Sequence, residues 1–294
     1  MQKPEVTGFF DEATYTISYV VADPETKNCA IIDSLLDYDQ ASGRTTTTSA
    51  NKLIQFVRQN GLTCEWIIDT HVHADHLSAA PFIKRETGAK IGIGEHITQV
   101  QKIFRPVFAD HTLQTDGSDF DHLFSDQEHF QLGKLMVEVL FVPGHTPADV
   151  AYRIGDNVFV GDTMFMPDYG TARADFPGGD ARKLYRSIQR LLALPDDTQL
   201  FMCHDYKAPG RSDYAWQTSV AEARNNVHLV NAPSEDEFVD MRQRRDATLS
   251  APKLLLPSIQ VNMRAGRFPK AESNGVTYLL VPVKPKQQGD TLPR

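Results

Sequence analysis

The segment Thr70-His71-Val72-His73-Ala74-Asp75-His76 sets three imidazoles and a carboxylate directly after the apolar run Trp66-Ile67-Ile68. That run, bounded by Asn60-Gly61 upstream and by polar residues downstream, reads as a buried strand over residues 65–70. His71 and His73 are two apart, so in an extended chain they point the same way. Asp75 and His76 follow in the turn before a helix-like stretch, residues 77–86, closed by Gly88. Imidazole and carboxylate together suit zinc, iron or manganese better than calcium, magnesium or copper(I). The segment therefore predicts a metal site at a strand end, on a sheet rigid enough to aim distant side chains at one point.

The same pattern recurs downstream. A strand over 135–142 stops at Pro143-Gly144-His145, one over 157–160 stops at Gly161-Asp162-Thr163, and one over 200–203 stops at His204-Asp205-Tyr206. His96, His111, His122, His129 and His228 lack such a context and read as surface or packing residues. Residues 8–10, 14–22 and 29–33 read as opening strands, and 48–59 as a helix with Leu53, Ile54 and Val57 on its apolar face. The clearest helix spans 180–194: Asp180 is its predicted N-cap, Leu184, Ile188, Leu191 and Leu192 form one stripe, and Pro195 ends it.

A chain of 294 residues with 41% hydrophobic content can build one large layered domain. A formal net charge of −8 argues against a nucleic-acid surface and so against a nuclease. Cys29, Cys64 and Cys203 form neither a ligand spacing nor a disulfide framework, which favours a reducing compartment. With no leader pattern and no apolar stretch long enough for a bilayer, the expected location is cytoplasmic, without membrane contact. A homodimer is the default expectation. Residues 283–294 are polar and Pro-containing and predict a mobile end.

His-x-His-x-Asp-His, then Gly-His, then Gly-Asp, then a late His, each at a strand end, resembles the metallo-β-lactamase superfamily over about residues 6–230. The resemblance implies an α/β fold: an αββα sandwich of two mixed, mostly antiparallel sheets with helices outside and metal at one edge. It also implies a catalytic domain over 1–233, with 234–294 as an extension packed on it. In the superfamily's two-metal form, His71, His73 and His145 would hold one ion, Asp75, His76 and His204 the other, and Asp162 would lie between. A dinuclear zinc thioester hydrolase similar to glyoxalase II is the reading those ligands allow.

Three further segments resemble the persulfide dioxygenase family within that superfamily. They are Tyr169-Gly170-Thr171-Ala172-Arg173-Ala174-Asp175-Phe176, Cys203-His204-Asp205-Tyr206 and the late Asn262-Met263-Arg264. This implies a non-haem enzyme with one Fe(II) per chain that oxidises glutathione persulfide with O2 to sulfite and glutathione. Carried over by position, the iron ligands fall on His71, His145 and Asp162, a two-His, one-carboxylate set. His73, Asp75, His76 and His204 would have catalytic roles off the metal, orienting ligands and hydrogen-bonding to bound water or oxygen. Arg173 matches a position for the glutathione carboxylates, with Tyr206 and Arg264 as further substrate contacts. Some family members carry Cys after Asn-Met-Arg; this chain has Ala265, so no thiol acts there. Residues 34–49 and 96–130 are longer than in short family members and are expected to form a pocket wall or an oligomer contact.

Overall fold

Period-two alternation in the strands builds three apolar layers. The computed structural model describes residues 3–283. Its first half contains β1 (Glu5–Asp11), β2 (Thr16–Ala22), β3 (Asn28–Ile32), β4 (Leu35–Asp39), β5 (Arg44–Thr46), α1 (Thr48–Gln59), β6 (Thr63–Ile68), β7 (Leu77–Ser78), α2 (Ala80–Thr87), β8 (Lys90–Gly94), α3 (Ile97–Val107) and β9 (His122–Phe124). The second contains β10 (His129–Leu132), β11 (Leu135–Phe141), β12 (Val150–Ile154), β13 (Asn157–Phe159), α4 (Ala181–Leu192), β14 (Gln199–Phe201), β15 (Gln217–Ser219), α5 (Val220–Ala223), α6 (Val227–Asn231), α7 (Glu235–Asp246) and α8 (Leu255–Asn262).

One sheet runs β1-β2-β3-β6-β8-β9, the other β10-β11-β12-β13-β14-β15, and β5-β4-β7 form a small third sheet. The second large sheet is antiparallel except at β13–β14. The first is antiparallel only through β1, β2 and β3, and parallel from β3 through β6 and β8 to β9. Those parallel strands need crossovers, which contain α1, α2 and α3 in turn.

Along β2, Ile17, Tyr19 and Val21 point into the core between the large sheets, while Val20 and Ala22 point toward α1, α2 and α3. Tyr152 and Ile154 of β12 face the inter-sheet core, whereas Ala151 faces the layer containing α4 and α7. The result is an αββα sandwich, as the resemblance implied. At one edge the sheets are tied by the main chain, Ile17 N donating to Cys203 O at 2.7 Å.

Most expected elements appear with shifted ends. The expected helix at 77–86 begins only at Ala80, because Leu77 and Ser78 pair with β4 as a strand. The Asp180 carboxylate caps α4 by accepting from Arg182 N and Lys183 N. α7, unread in the sequence, starts with a Ser234–Glu237 capping box and has little apolar periodicity. Its N-terminal end is held by charge, with Arg182 and Arg186 of α4 gripping Glu235, and Phe238 is its buried apolar anchor. α8 inserts Ile259 and Val261 into the helical core of the first sheet. Residues 34–49 form the β4–β5 hairpin beside a cleft of about 510 Å³ that His76 also lines. Residues 96–130 instead buttress α8, Gln101 Nε2 donating to Met263 O at 2.9 Å. The tail beyond Val283 lies outside the described residues, as does the mobile end expected there. Among the described residues no helix is long and apolar enough to cross a membrane.

Candidate metal centre

Four strand ends converge at the tied edge of the sandwich. His71 follows β6, His145 follows β11, Asp162 follows β13 and His204 follows β14. One ligand atom from each of His71, His145 and Asp162 lies within 4.8 Å of the others, and all three residues are buried. Asp162 Oδ2 is 3.9 Å from His71 Nε2 and 3.7 Å from His145 Nε2.

The donor chemistry fits a metal. His71 Nε2 and Asp162 Oδ1 are buried without a hydrogen-bond partner among the described residues, a costly state unless a cation meets them. The far nitrogen of each imidazole is already engaged. His145 Nδ1 donates to Arg173 O at 2.8 Å, and His71 Nδ1 meets Thr70 Oγ1 at 3.0 Å. Both rings thus turn a lone pair on Nε2 toward Asp162, the tautomer a metal ligand needs. Burial, reinforced by the neighbouring imidazoles, pushes His71 well below the usual histidine range.

The glycines before two ligands have a steric reason. Gly144 has φ 151°, and a Cβ there would sit 2.3 Å from Leu184 Cα at the start of α4. Gly161 has φ 55°, and its Cβ would lie 2.7 Å from Thr70 Oγ1. Either side chain would push its ligand loop away from the sheet edge.

His73 commits one of its nitrogens elsewhere. Its Nε2 bonds Asp33 Oδ1 at 2.9 Å in a fully buried ion pair, and Asp33 also accepts from Thr70 N at 2.7 Å. Burial alone favours the neutral ring, but the Asp33 carboxylate outweighs it and holds His73 at about 10. The same contact holds Asp33 below the usual carboxylate range against its own burial. Nearby, burial lifts Asp69 to about 7. His73 still offers a ligand atom within 4.8 Å of Asp75 and His76, a second cluster, and His73 Nδ1 and His76 Nε2 are also buried without a hydrogen-bond partner among the described residues. Burial drives His76 down to about 4, while His76 and His204 hold Asp75 at about 2 despite its burial. His204 Nδ1 donates to Tyr15 O at 3.1 Å, which leaves its Nε2 lone pair 3.5 Å from both Asp75 Oδ2 and Asp162 Oδ1. That nitrogen can take a proton from a group entering beside Asp162.

The C-terminal stretch clamps these loops. Asn262 Nδ2 donates to His73 O and His76 O, both at 2.8 Å, while its Oδ1 accepts from Ser78 N. Arg242, fully buried on α7, donates to Asp246 Oδ1 at 2.6 Å and to Thr171 O at 3.0 Å. Asp246 Oδ2 in turn accepts from Ala174 N at 2.9 Å. The backbone is thereby gripped on both sides of Arg173, whose carbonyl orients His145.

A cleft of about 480 Å³ opens on the centre, lined by Asp75, His145, Asp162 and His204. Tyr206, expected as a substrate contact, lines it, stacked on His204 at 5.5 Å and beside Tyr169 at 5.2 Å. Arg173 also lines it, but its guanidinium is occupied by Asp175 at 2.5 and 2.7 Å and by Ser250 O at 2.7 Å. The expected role of Arg264 needs correcting: it does not line this cleft and pairs with Asp110 on the far side of α8. The basic cleft residues unread in the sequence are Arg242, Arg245 and Lys253. His228, read as a packing residue, lies behind the cleft loop and bonds Thr171 N at 2.9 Å.

The profile of the metallo-beta-lactamase superfamily matches residues 13–204. The chain is 52% identical to a probable metallo-hydrolase of Burkholderia pseudomallei over 95% of this chain and 98% of that one. It is 49% identical to Glyoxylase B2 of Dictyostelium discoideum over 96% and 97% of the two chains. Identity to the human mitochondrial persulfide dioxygenase ETHE1 is 24% over 87% of each. The crystal structure of ETHE1 from Myxococcus xanthus superposes with a TM-score of 0.72 at 28% identity, covering 90% of this chain and 100% of that one.

Proposed function

The chain belongs to the metallo-β-lactamase superfamily, and from that premise we propose that it is a mononuclear Fe(II) dioxygenase that converts glutathione persulfide, O2 and water to glutathione and sulfite. The observation that carries this reading is the division of the histidines: His71 and His145 turn free Nε2 atoms toward Asp162, while His73 is bonded to Asp33. Two imidazoles and one carboxylate are the ligand set of non-haem Fe(II) oxygenases. Iron in that set supplies open coordination positions and the electron transfer that oxidation of a sulfane sulfur requires. The sulfane sulfur loses four electrons, O2 gains them, water provides the third oxygen of sulfite, and its protons are released.

The residues around the trio serve orientation and proton movement. Arg173 O fixes the His145 ring, and Thr70 fixes His71. His204 Nε2, between Asp75 and Asp162, accepts the proton released when water or the persulfide enters. The tyrosine wall of Tyr169 and Tyr206 excludes water from one side of the cleft.

A second reading is a dinuclear zinc thioester hydrolase similar to glyoxalase II. The His73–Asp75–His76 cluster and the 49% identity to a protein named Glyoxylase B2 favour it. Oxygen uptake by iron-loaded protein with glutathione persulfide, run beside S-lactoylglutathione hydrolysis by zinc-loaded protein, separates the two. The dioxygenase reading expects rapid uptake with sulfite formation; thioester cleavage without uptake overturns it.

A further inference from the structure

The β1–β2 hairpin ends against the metal edge. Thr16 opens β2 opposite Asp11 of β1 and also forms an isolated bridge with His204. Tyr15, at φ 59°, offers its carbonyl to His204 Nδ1 at 3.1 Å and to Asp205 N at 3.2 Å. The turn between Asp11 and Thr16 is therefore fixed to the loop that carries His204, and its threonine hydroxyls are fixed with it.

Those hydroxyls form a continuous chain. Thr16 Oγ1, on a fully buried residue, lies 3.1 Å from Asp75 Oδ2 and 3.0 Å from Thr14 Oγ1, which in turn lies 2.9 Å from Asp11 Oδ2. At the inner end Asp75 Oδ2 faces His204 Nε2 at 3.5 Å. At the outer end Asp11 is half-buried and lines the second cleft of about 510 Å³, not the main one. The chain thus crosses from one cleft to the other. The other threonine network at this edge, Thr70 with Asp33 and His73, has no such outlet, because all three residues are buried.

A threonine hydroxyl carries one proton and can accept from one neighbour while donating to the next. We infer that Thr16, Thr14 and Asp11 form a relay that carries protons from Asp75 and His204 to the second cleft, an exit that stays open while substrate fills the main one. In the transfer Asp75 hands a proton to Thr16 Oγ1, Thr16 passes its own to Thr14 Oγ1, and Thr14 passes its own to Asp11 Oδ2. Three O–H bonds break and three form, and Asp11 gives one proton to solvent for each that enters. The source of the proton rests on the proposed function, although thioester hydrolysis would release one at the same place.

Thr14 is the position to vary, since its hydroxyl bonds neither Asp75 nor His204. Thr14→Val removes the hydroxyl and keeps the backbone N–H that also donates to Asp11, whereas Thr14→Ser keeps both. In iron-loaded protein with glutathione persulfide and dilute buffer, Thr14→Val is expected to lower kcat about tenfold, with metal content unchanged, and added imidazole to restore it as a mobile proton carrier. Thr14→Ser should turn over like the parent. A second readout needs no turnover: exchange of the Thr16 hydroxyl proton with water in metal-free protein, followed by NMR, should slow in Thr14→Val and not in Thr14→Ser. Parent-like kcat in Thr14→Val, a loss that imidazole does not restore, an equal loss in Thr14→Ser, or unchanged exchange each overturns the relay. If the parent takes up no oxygen while exchange slows as expected, the dioxygenase reading fails and the relay stands. If uptake by Thr14→Val in dilute buffer matches the parent, the relay fails and the reaction stands.

Discussion

The strand-end loops and the C-terminal stretch meet at the same centre by different means. The loops after β6, β11, β13 and β14 provide side chains that face the metal site. The stretch from α7 to Arg264 provides none to the trio, yet Asn262, Arg242 and Asp246 hold the backbone of the loops that do. Ligand identity and ligand orientation are thus encoded in separate parts of the chain. An account that stopped at the ligands would miss what keeps them aimed.

Substitutions in the two regions should fail differently. His71→Ala has the largest expected effect, removing bound metal and turnover together, as read by elemental analysis and oxygen uptake. A variant with full metal and full turnover would remove His71 from the ligand set.

Asp33→Asn should come next, at about 3 kcal/mol of unfolding free energy near neutral pH, because it leaves a buried His73 charge unpaired. The pair also fixes a pH window. His73 is raised in the folded state, so its contribution is complete below the ordinary histidine range and is lost as pH rises through about 10. Asp33 is lowered, so its contribution is present above the ordinary carboxylate range and is lost as pH falls below it. Denaturation of parent and variant across pH should show the gap widest near neutrality and closing at both ends. A gap independent of pH would contradict the ion pair.

Asn262→Ala should cost about 2 kcal/mol by leaving His73 O, His76 O and Ser78 N without their buried partner. It should also shorten metal retention in a chelator challenge, although Asn262 touches no member of the trio. Asp246→Asn weakens the grip on both sides of Arg173 and should lower metal affinity roughly tenfold, with the far-ultraviolet dichroism unchanged. Parent-like retention in both variants would mean that the C-terminal stretch is packing alone. The smallest effect belongs to Arg264→Gln, about 1 kcal/mol in stability from the lost Asp110 pair and no change in glutathione affinity. A clear loss of affinity there would restore Arg264 to the substrate site.

The same comparison explains what could be read in advance. Strand alternation and the ligand loops were legible because each ligand follows an apolar run and each such run is local in sequence. Thus residues 48–59, the Asp180 cap and a group of seven candidate ligands at strand ends could be placed from sequence, whereas the choice of His71, His145 and Asp162 among the seven came only from the family resemblance, and the clamps could not be placed at all. Arg242 and Asp246 lie on a helix with almost no apolar stripe, and their partners are some seventy residues away in the chain. Asp33 was legible only as the end of a strand, although it shares with Asp162 the signature of a carboxylate after an apolar run. Arg264 shows the opposite failure: its segment was singled out for substrate contact, but Asn262 is the residue that reaches the carbonyls of His73 and His76, while Arg264 turns away toward Asp110.

On the proposed reading His73 belongs to Asp33 and the trio alone holds the catalytic ion. Anaerobic Fe(II) titration of metal-free protein, read by elemental analysis after desalting, tests it most directly. One retained equivalent per chain, absent in His71→Ala, is the predicted result. Two retained equivalents, with the second lost in His73→Ala, would put His73 on a metal and contradict the account.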